Sequence, residues 1–188
     1  MKPTRILALS ALAAAWLAAM PAQAATQTRT VTTPGARLCT LSIPTTDTGV
    51  RPKATGFRNE GKTSAFVICA FDSAPGQPDD LASEQQSDPK VITLYFASID
   101  GKTHAFNCTG VNSWPAPAAG WAVPMQYSSK NVVIDPNDPY TSQTTWTRLD
   151  FGGTTNIPTS GSFSATCQLP PGVSILRARL QADVDVGS

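Results

Sequence analysis

The sequence predicts an all-β protein, a single antiparallel β-sandwich that is jelly-roll-like and held by two disulfide bonds. Short segments rich in β-branched and aromatic residues alternate with loops rich in Pro, Gly, Asn and Asp, and no segment has a helical period. The chain also contains four cysteines, an even number. Regular short strands with turn residues between them are typical of sandwiches and jelly rolls.

The clearest strand is predicted at residues 173–186. From Leu176 onward its even-numbered positions are apolar and its odd-numbered positions are polar, which is a strict period of two. One buried face and one exposed face belong to an antiparallel sheet. Six further segments have strand composition: 64–71, 91–98, 104–111, 131–134, 144–151 and 162–169.

Turn residues separate these segments. Asp100-Gly101 lies between segments 91–98 and 104–111, and this dipeptide predicts a β-hairpin. Pro170-Pro171-Gly172 likewise separates the last two segments. The long loops at 73–89 and 114–124 are rich in proline, so we expect both at the surface.

The first residues have the composition of a secretory signal peptide. Lys2 and Arg5 precede an apolar run over 6–20, and Ala22-Gln23-Ala24 places small residues at both cleavage-site positions. The run ends at Pro21, short of the roughly 20 apolar residues of a membrane span. We therefore expect a signal peptide at 1–24, a secreted or periplasmic protein, and no membrane insertion after cleavage.

The mature chain is predicted to be one domain with little net charge. Residues 25–37 are expected to form a flexible N-terminal arm or an edge strand, and residues 38–188 the β-sandwich domain. Cleavage removes two of the 14 basic residues and none of the 13 acidic ones, which leaves a net charge of −1. Because the basic residues are also scattered, the chain has no electrostatic footprint for nucleic acid.

The cysteines Cys39, Cys69, Cys108 and Cys167 all lie in the mature part. In an exported chain an even number of cysteines predicts disulfides. A structural zinc site prefers close pairs such as C-x-x-C, whereas these residues are 30, 39 and 59 positions apart. Three connectivities are open. We favour Cys39 with Cys69 and Cys108 with Cys167, because each pair joins candidate strands within one half of the chain.

No catalytic residue is predicted. His104 is the only histidine, so a Ser-His-Asp triad would need it, and the residues after it do not fit a serine protease. Ser162 and Ser164 lack the second glycine of a nucleophile elbow. Paired carboxylates for glycoside cleavage are the catalytic alternative. The acids available for such a pair are Asp72, Asp79, Asp80, Glu84, Asp88, Asp135, Asp138, Asp150, Asp183 and Asp185.

Aromatic residues beside the proline-rich loops are candidate ligand contacts. Trp114 and Trp121, with Tyr127 and Tyr140, could stack on a sugar or on an apolar side chain of a partner. The alternative is that these rings plug the ends of the sandwich. Trp114 is expected to be the most exposed, because Pro115 and a further proline keep its surroundings irregular.

One turn carries a candidate metal site. Asp135, Asn137 and Asp138 bring together the hard oxygen ligands that calcium prefers, although they lack the spacing of an EF-hand loop. Asp and Asn next to proline are also ordinary turn residues. No cofactor is predicted, with calcium at this turn as the alternative.

Three short motifs resemble a family of small secreted two-disulfide proteins of gram-negative bacteria, whose function is uncharacterised. They are Cys108-Thr109-Gly110-Val111, Trp146 with Asp150-Phe151-Gly152-Gly153, and Cys167-Gln168-Leu169-Pro170-Pro171-Gly172. The likeness covers about residues 38–186. It implies a β-sandwich with two disulfides and supplies no catalytic residues.

These observations together predict a secreted, non-catalytic β-sandwich protein with a binding or surface-interaction role. The expected partner is a carbohydrate or protein ligand outside the cytoplasm, and no nucleic acid. The alternative function is a secreted carbohydrate-active hydrolase that uses paired carboxylates.

Overall fold

The computed structural model of the chain describes residues 26–43, 49–71, 89–113, 125–138, 142–152 and 162–185. Residues 28–184 form one compact unit. The other unit comprises residues 1–27 and 185–188, of which only the strand ends Thr26, Gln27 and Asp185 are described. A search of the described ranges for a helix with the length and apolar character of a membrane span finds none.

Strands dominate the described ranges, with two helices of a single turn. Helix α1 (Gly35–Leu38) follows the first strand, and a 3-10 helix (Arg148–Phe151) follows the ninth. In chain order the strands are β1 (Thr26–Pro34), β2 (Cys39–Leu41), β3 (Val50–Lys53), β4 (Gly56–Asn59), β5 (Ala65–Phe71), β6 (Pro89–Ser98), β7 (His104–Ser113), β8 (Gln126–Ile134), β9 (Gln143–Thr147), β10 (Ser162–Leu169) and β11 (Val173–Asp185).

The strands form two antiparallel sheets that pack against each other. Sheet A has the order β3-β4-β11-β6-β9, with β1 also paired to β11, and sheet B has the order β2-β5-β10-β7-β8. From β4 to β11 the chain therefore contributes β4-β11-β6-β9 to one sheet and β5-β10-β7-β8 to the other. This is the strand order of an eight-stranded jelly roll. The predicted fold class is confirmed.

Six of the seven predicted strand segments are strands, and 144–151 is one only in part. Its last four residues form the 3-10 helix, because the carboxylate of Asp150 turns back to cap it. Asp150 Oδ2 accepts a hydrogen bond of 2.7 Å from the backbone N–H of Thr147, and Gly152 ends the turn with φ 71°. The sequence also missed β2, β3 and β4, which are short and, in β3 and β4, rich in Arg, Lys, Pro and Gly.

The predicted alternation of β11 holds only after a β-bulge. Ala178, Leu180 and Ala182 are buried, as predicted. The pairing with β6 shifts register between Ile175 and Arg177, so Leu176 is 37% exposed instead of buried. One extra residue in a strand turns its side chain out of the core face, and periodicity in the sequence does not reveal it.

The predicted hairpin at Asp100-Gly101 is wrong. This turn joins β6 in sheet A to β7 in sheet B, so it crosses between the sheets. Pro170-Pro171-Gly172 also crosses, from β10 in sheet B to β11 in sheet A. The dipeptide sets the local turn, with Gly101 at φ 72°, but burial of the apolar faces decides which strands pair. The two crossings touch where Ile99 N–H donates to the carbonyl of Gly172 at 2.7 Å.

One end of the core between the sheets contains a cluster of four aromatic rings around Phe163. The Phe163 ring lies 5.4 Å from that of Phe71, 5.7 Å from Trp146 and 5.8 Å from Phe151. Trp146 is fully buried and reaches from sheet A to sheet B, where its Nε1 donates to the carbonyl of Ser128 at 2.9 Å. A methyl group on Gly110 would lie 2.7 Å from Trp146 Nε1, so this strand position has room only for glycine.

Both disulfides lie on the inner face of sheet B. Cys39 in β2 bonds to Cys69 in β5, and Cys108 in β7 bonds to Cys167 in β10, which confirms the favoured connectivity. Each bridge joins residues that are direct register partners, and all four side chains are buried. By the chain-entropy relation each bridge contributes roughly 4 kcal/mol of stability.

Candidate functional site

Of the four predicted aromatic contacts, the described residues include one. Trp114 and Trp121 lie outside the described residues, as does Tyr140. Tyr127 is described, and it is 64% exposed on the outer face of sheet B. Stacking by the tryptophans therefore stays a prediction.

The turn with the candidate calcium ligands is described in full. The backbone N–H of Asn137 donates to Asp135 Oδ1 at 2.9 Å, and the N–H of Asp138 donates to the Asp135 carbonyl at 3.0 Å. The first bond is that of an Asx turn and the second is that of a β-turn. Within the described ranges no three His, Cys, Asp or Glu side chains come together as metal ligands. Calcium binding at this turn stays a prediction.

Two of the acids considered for catalysis form salt bridges with lysines. Burial raises the pKa of Asp150, but hydrogen bonds from Lys130 and from Thr147 outweigh it and hold the pKa below its usual value. Hydrogen bonds from Lys90 and then Thr28 lower the pKa of Asp183. A glycosidase acid needs a raised pKa. Five further candidates lie outside the described residues: Asp72, Asp79, Asp80, Glu84 and Asp88.

The histidine is tied to the turn between β6 and β7. His104 Nε2 lies 2.8 Å from Asp100 Oδ1, which also accepts hydrogen bonds from Ser98 Oγ and from the N–H of Lys102. The hydrogen bond from His104 is the largest of the causes that lower the pKa of Asp100 to about 2. His104 therefore holds a turn together.

A groove opens over the end of β6 and has a volume of about 320 Å³. We call it the Tyr95 groove. The β11 bulge forms one wall, and residues 135, 136 and 142, between β8 and β9, form the other. Its lining comprises Tyr95, Phe96, Ala97, Ser98, Asp135, Pro136, Ser142, Leu176 and Arg177. Asp135 is the one predicted site residue within the described ranges that lines this groove.

The bulge creates the wall that carries the charge. It turns Leu176 outward and sets Arg177 opposite Tyr95 in the strand register. The guanidinium carbon of Arg177 lies 4.8 Å from the centre of the Tyr95 ring, so the cation rests on the aromatic face. On the other side, the N–H of Phe96 donates to the carbonyl of Ser142 at 2.8 Å, which ties that wall to β6.

The groove combines donors, acceptors and apolar surface. Arg177 offers several N–H donors in a planar fork. A carboxylate accepts about four hydrogen bonds, so Asp135 keeps acceptor capacity after the two that Asn137 donates to it. Leu176 and Tyr95 supply the apolar part, and Ser142 a hydroxyl. Small-molecule sites typically have volumes of about 300–1,000 Å³ and this kind of mixed lining.

Sequence reasoning did not single out Tyr95 or Arg177. A signal was present, because Ile92, Leu94 and Phe96 form the buried side of 91–98, which leaves Tyr95 on the outer side. Pairing with Arg177 was not visible, since it depends on the bulge and on which strands are neighbours.

No protein-family model and no curated protein matches the chain. Among solved structures it is similar to the Podospora anserina GH26-CBM35 β-(1,4)-mannanase, at 13% identity and a TM-score of 0.35. The match covers 81% of this chain and only 27% of the mannanase chain. A likeness this distant carries no conclusion about function. The resemblance to small secreted two-disulfide proteins stays a prediction.

Proposed function

We propose that this chain is an exported, non-catalytic binding protein whose jelly roll binds a carbohydrate in the Tyr95 groove. The observation that carries the proposal is the Arg177 guanidinium packed on the Tyr95 ring across a groove from Asp135. A saccharide is the ligand class whose chemistry matches both walls.

Sugar hydroxyls donate and accept hydrogen bonds at the same time. A site for them needs a donor-rich group and an acceptor within one concave surface, and Arg177 and Asp135 supply these two. The C–H faces of a sugar ring are apolar, and they find Leu176 and the edge of Tyr95 beside these polar groups. A wholly apolar ligand would leave the carboxylate and the guanidinium desolvated without partners.

The Arg177 side chain is already ordered before a ligand binds, which supports the proposal. Arg177 loses much of its rotamer freedom by resting on the ring of Tyr95, which itself lies on a central strand of sheet A. A side chain that is already ordered costs less entropy when the ligand arrives.

Export is the second part of the proposal. Two buried disulfide bonds link neighbouring strands of sheet B, and such bonds persist in oxidising compartments. The signal-peptide pattern of residues 1–24 supports the same location, outside the cytoplasm.

A glycan array tests the proposal with labelled mature protein, residues 25–188. We expect retention on a defined subset of saccharides. Arg177→Ala should weaken binding to that subset by about 10- to 100-fold, the effect of losing charge-assisted hydrogen bonds of about 1.5–3 kcal/mol. Arg179→Ala is the matched control, because Arg179 lies two residues further on the same outer face and outside the groove lining. It should bind as the wild type does.

Two results would contradict the proposal. One is that no saccharide is retained, and the other is that Arg177→Ala and Arg179→Ala bind alike. A third result, the release of reducing ends from a retained saccharide, would replace binding by the hydrolase that the sequence left as the alternative.

A further inference from the structure

Among the described strand residues, the outer face of sheet B carries no charged side chain. It consists of the even-numbered residues 66–70 of β5 and 164–168 of β10, the odd-numbered residues 105–111 of β7 and 127–133 of β8, and Thr40 of β2. We call this surface the neutral face. The outer face of sheet A is different, because it bears Arg58, Arg177 and Arg179.

The neutral face is open to solvent and mixes apolar with hydroxyl groups. Phe66 is 54% exposed, Tyr127 64% and Val133 43%. A row of register partners crosses its centre from Ile68 through Thr166 and Thr109 to Ser129. Within this row Thr109 Oγ1 and Ser129 Oγ are hydrogen-bonded at 2.8 Å.

The sheet behind this face is stiffened. The two disulfides lie on its inner side and tie β2 to β5 and β7 to β10, so four of its five strands are cross-linked. A surface that is already rigid loses little conformational entropy when a partner covers it.

We propose that the neutral face is a self-association surface, at which two copies of this chain pack face to face about a two-fold axis. A partner with charged residues would bury those charges against a surface that has no counter-charge, at a cost in desolvation. A second neutral face brings no charge, and its hydroxyl and amide groups can pair with their own kind. Two-fold contacts of this isologous type are the commonest in soluble oligomers.

The dimensions fit a small dimer interface. Five strands at a spacing of about 4.8 Å, with lengths that average about seven residues, cover close to 600 Å² per copy. Stable interfaces bury about 1,200–2,000 Å² in total, so two neutral faces reach the lower end of this range. The groove on sheet A stays open in such a dimer, and this inference does not depend on the proposed carbohydrate binding.

Sedimentation velocity of the mature protein over a range of concentrations tests the inference. We expect a monomer–dimer equilibrium that high salt does not weaken, because no ion pair crosses the interface. Thr166→Lys places like charges opposite each other near the axis and should raise the dimer dissociation constant by about 10- to 100-fold. Thr145→Lys adds the same charge to the outer face of sheet A and should leave the dissociation constant unchanged.

Asn107→Lys, at an exposed position of the neutral face, gives a second probe that is read in the same way if Thr166→Lys does not fold. Near-ultraviolet circular dichroism establishes the folding of each variant. A monomer at every concentration would overturn the inference. A dimer that Thr145→Lys and the neutral-face variants weaken equally would also overturn it, as would a dimer that neither neutral-face variant affects.

Discussion

At the scale of single residues, a buried asparagine joins three parts of the fold. Asn59 Nδ2 donates to the carbonyl of Leu169 at 2.8 Å and to that of Thr63 at 2.9 Å. Its Oδ1 accepts from the N–H of Gly61 at 2.9 Å, and its carbonyl accepts from the N–H of Gly172 at 2.9 Å. The side chain is fully buried, and its bond to the Leu169 carbonyl is made away from water.

Replacing this asparagine should be costly. Asn59→Ala leaves the buried carbonyl of Leu169, the part-buried carbonyl of Thr63 and the part-buried N–H of Gly61 without their side-chain partner, and a buried group left so costs about 1–3 kcal/mol. We expect a loss of about 3–5 kcal/mol in the free energy of unfolding, measured by urea denaturation. Gln143→Ala removes an exposed amide of sheet A and should cost less than about 0.5 kcal/mol. If the two variants lost equal amounts of unfolding free energy, the hydrogen bonds of Asn59 would not be the source of its contribution to stability.

The sequence offered no sign of this role. Asn59 stands in Arg-Asn-Glu-Gly, which reads as a surface turn, and a buried polar residue is recognised only when its partners are known. The same reason applies to Tyr95 and Arg177. Asp135, in contrast, could be named from the sequence, because a cluster of Asp and Asn residues around proline is visible without a fold.

At the scale of elements, strands were easier to predict than their partners. Period-two patterns and β-branched composition located five strands to within about two residues at each end: β5, β6, β7, β10 and β11. The predicted end of β11, residue 186, lies outside the described residues. The partners could not be predicted, because pairing depends on how two apolar faces close on each other across long sequence separations. The turn at Asp100 illustrates the difference, since its residues specify a turn but not a hairpin.

That turn should make the protein sensitive to acid. The pKa of Asp100 falls from 3.8 to about 2 on folding, chiefly through the hydrogen bond from His104. Between about pH 4 and pH 2 the unfolded chain therefore binds more protons than the folded chain. The contribution of Asp100 to stability is present above this window and is lost as the pH falls through it.

Thermal melts at a series of pH values test this account of the turn. Asp100→Asn should flatten part of the fall in Tm between about pH 4 and pH 2. The rest of the fall should remain, because the pKa values of Glu60, Asp150 and Asp183 are lowered too. His104→Gln removes the largest of the causes that lower the pKa of Asp100, so the pH range over which Asp100 loses its contribution to stability should become narrower. A Tm profile of Asp100→Asn that runs parallel to the wild type would refute this assignment.

At the scale of the whole molecule, the two sheets have different surfaces. Sheet A carries arginines and the Tyr95 groove on its outer side, and sheet B carries an uncharged outer side above two cystines. A jelly roll exposes two independent outer faces, so one can bind a ligand while the other packs against a partner. Binding at the groove is the central claim.

The most direct test is an amide NMR titration of the 15N-labelled mature protein with the saccharide that the array retains best. Binding in the groove predicts that the shifted signals cluster at residues 95–98, 135, 142, 176 and 177, and that Arg177→Ala abolishes these shifts at the same ligand concentration. Signals of the neutral face, such as Thr109 and Thr166, should not move. Shifts confined to that face, or absent from the groove while the saccharide binds, would contradict the account.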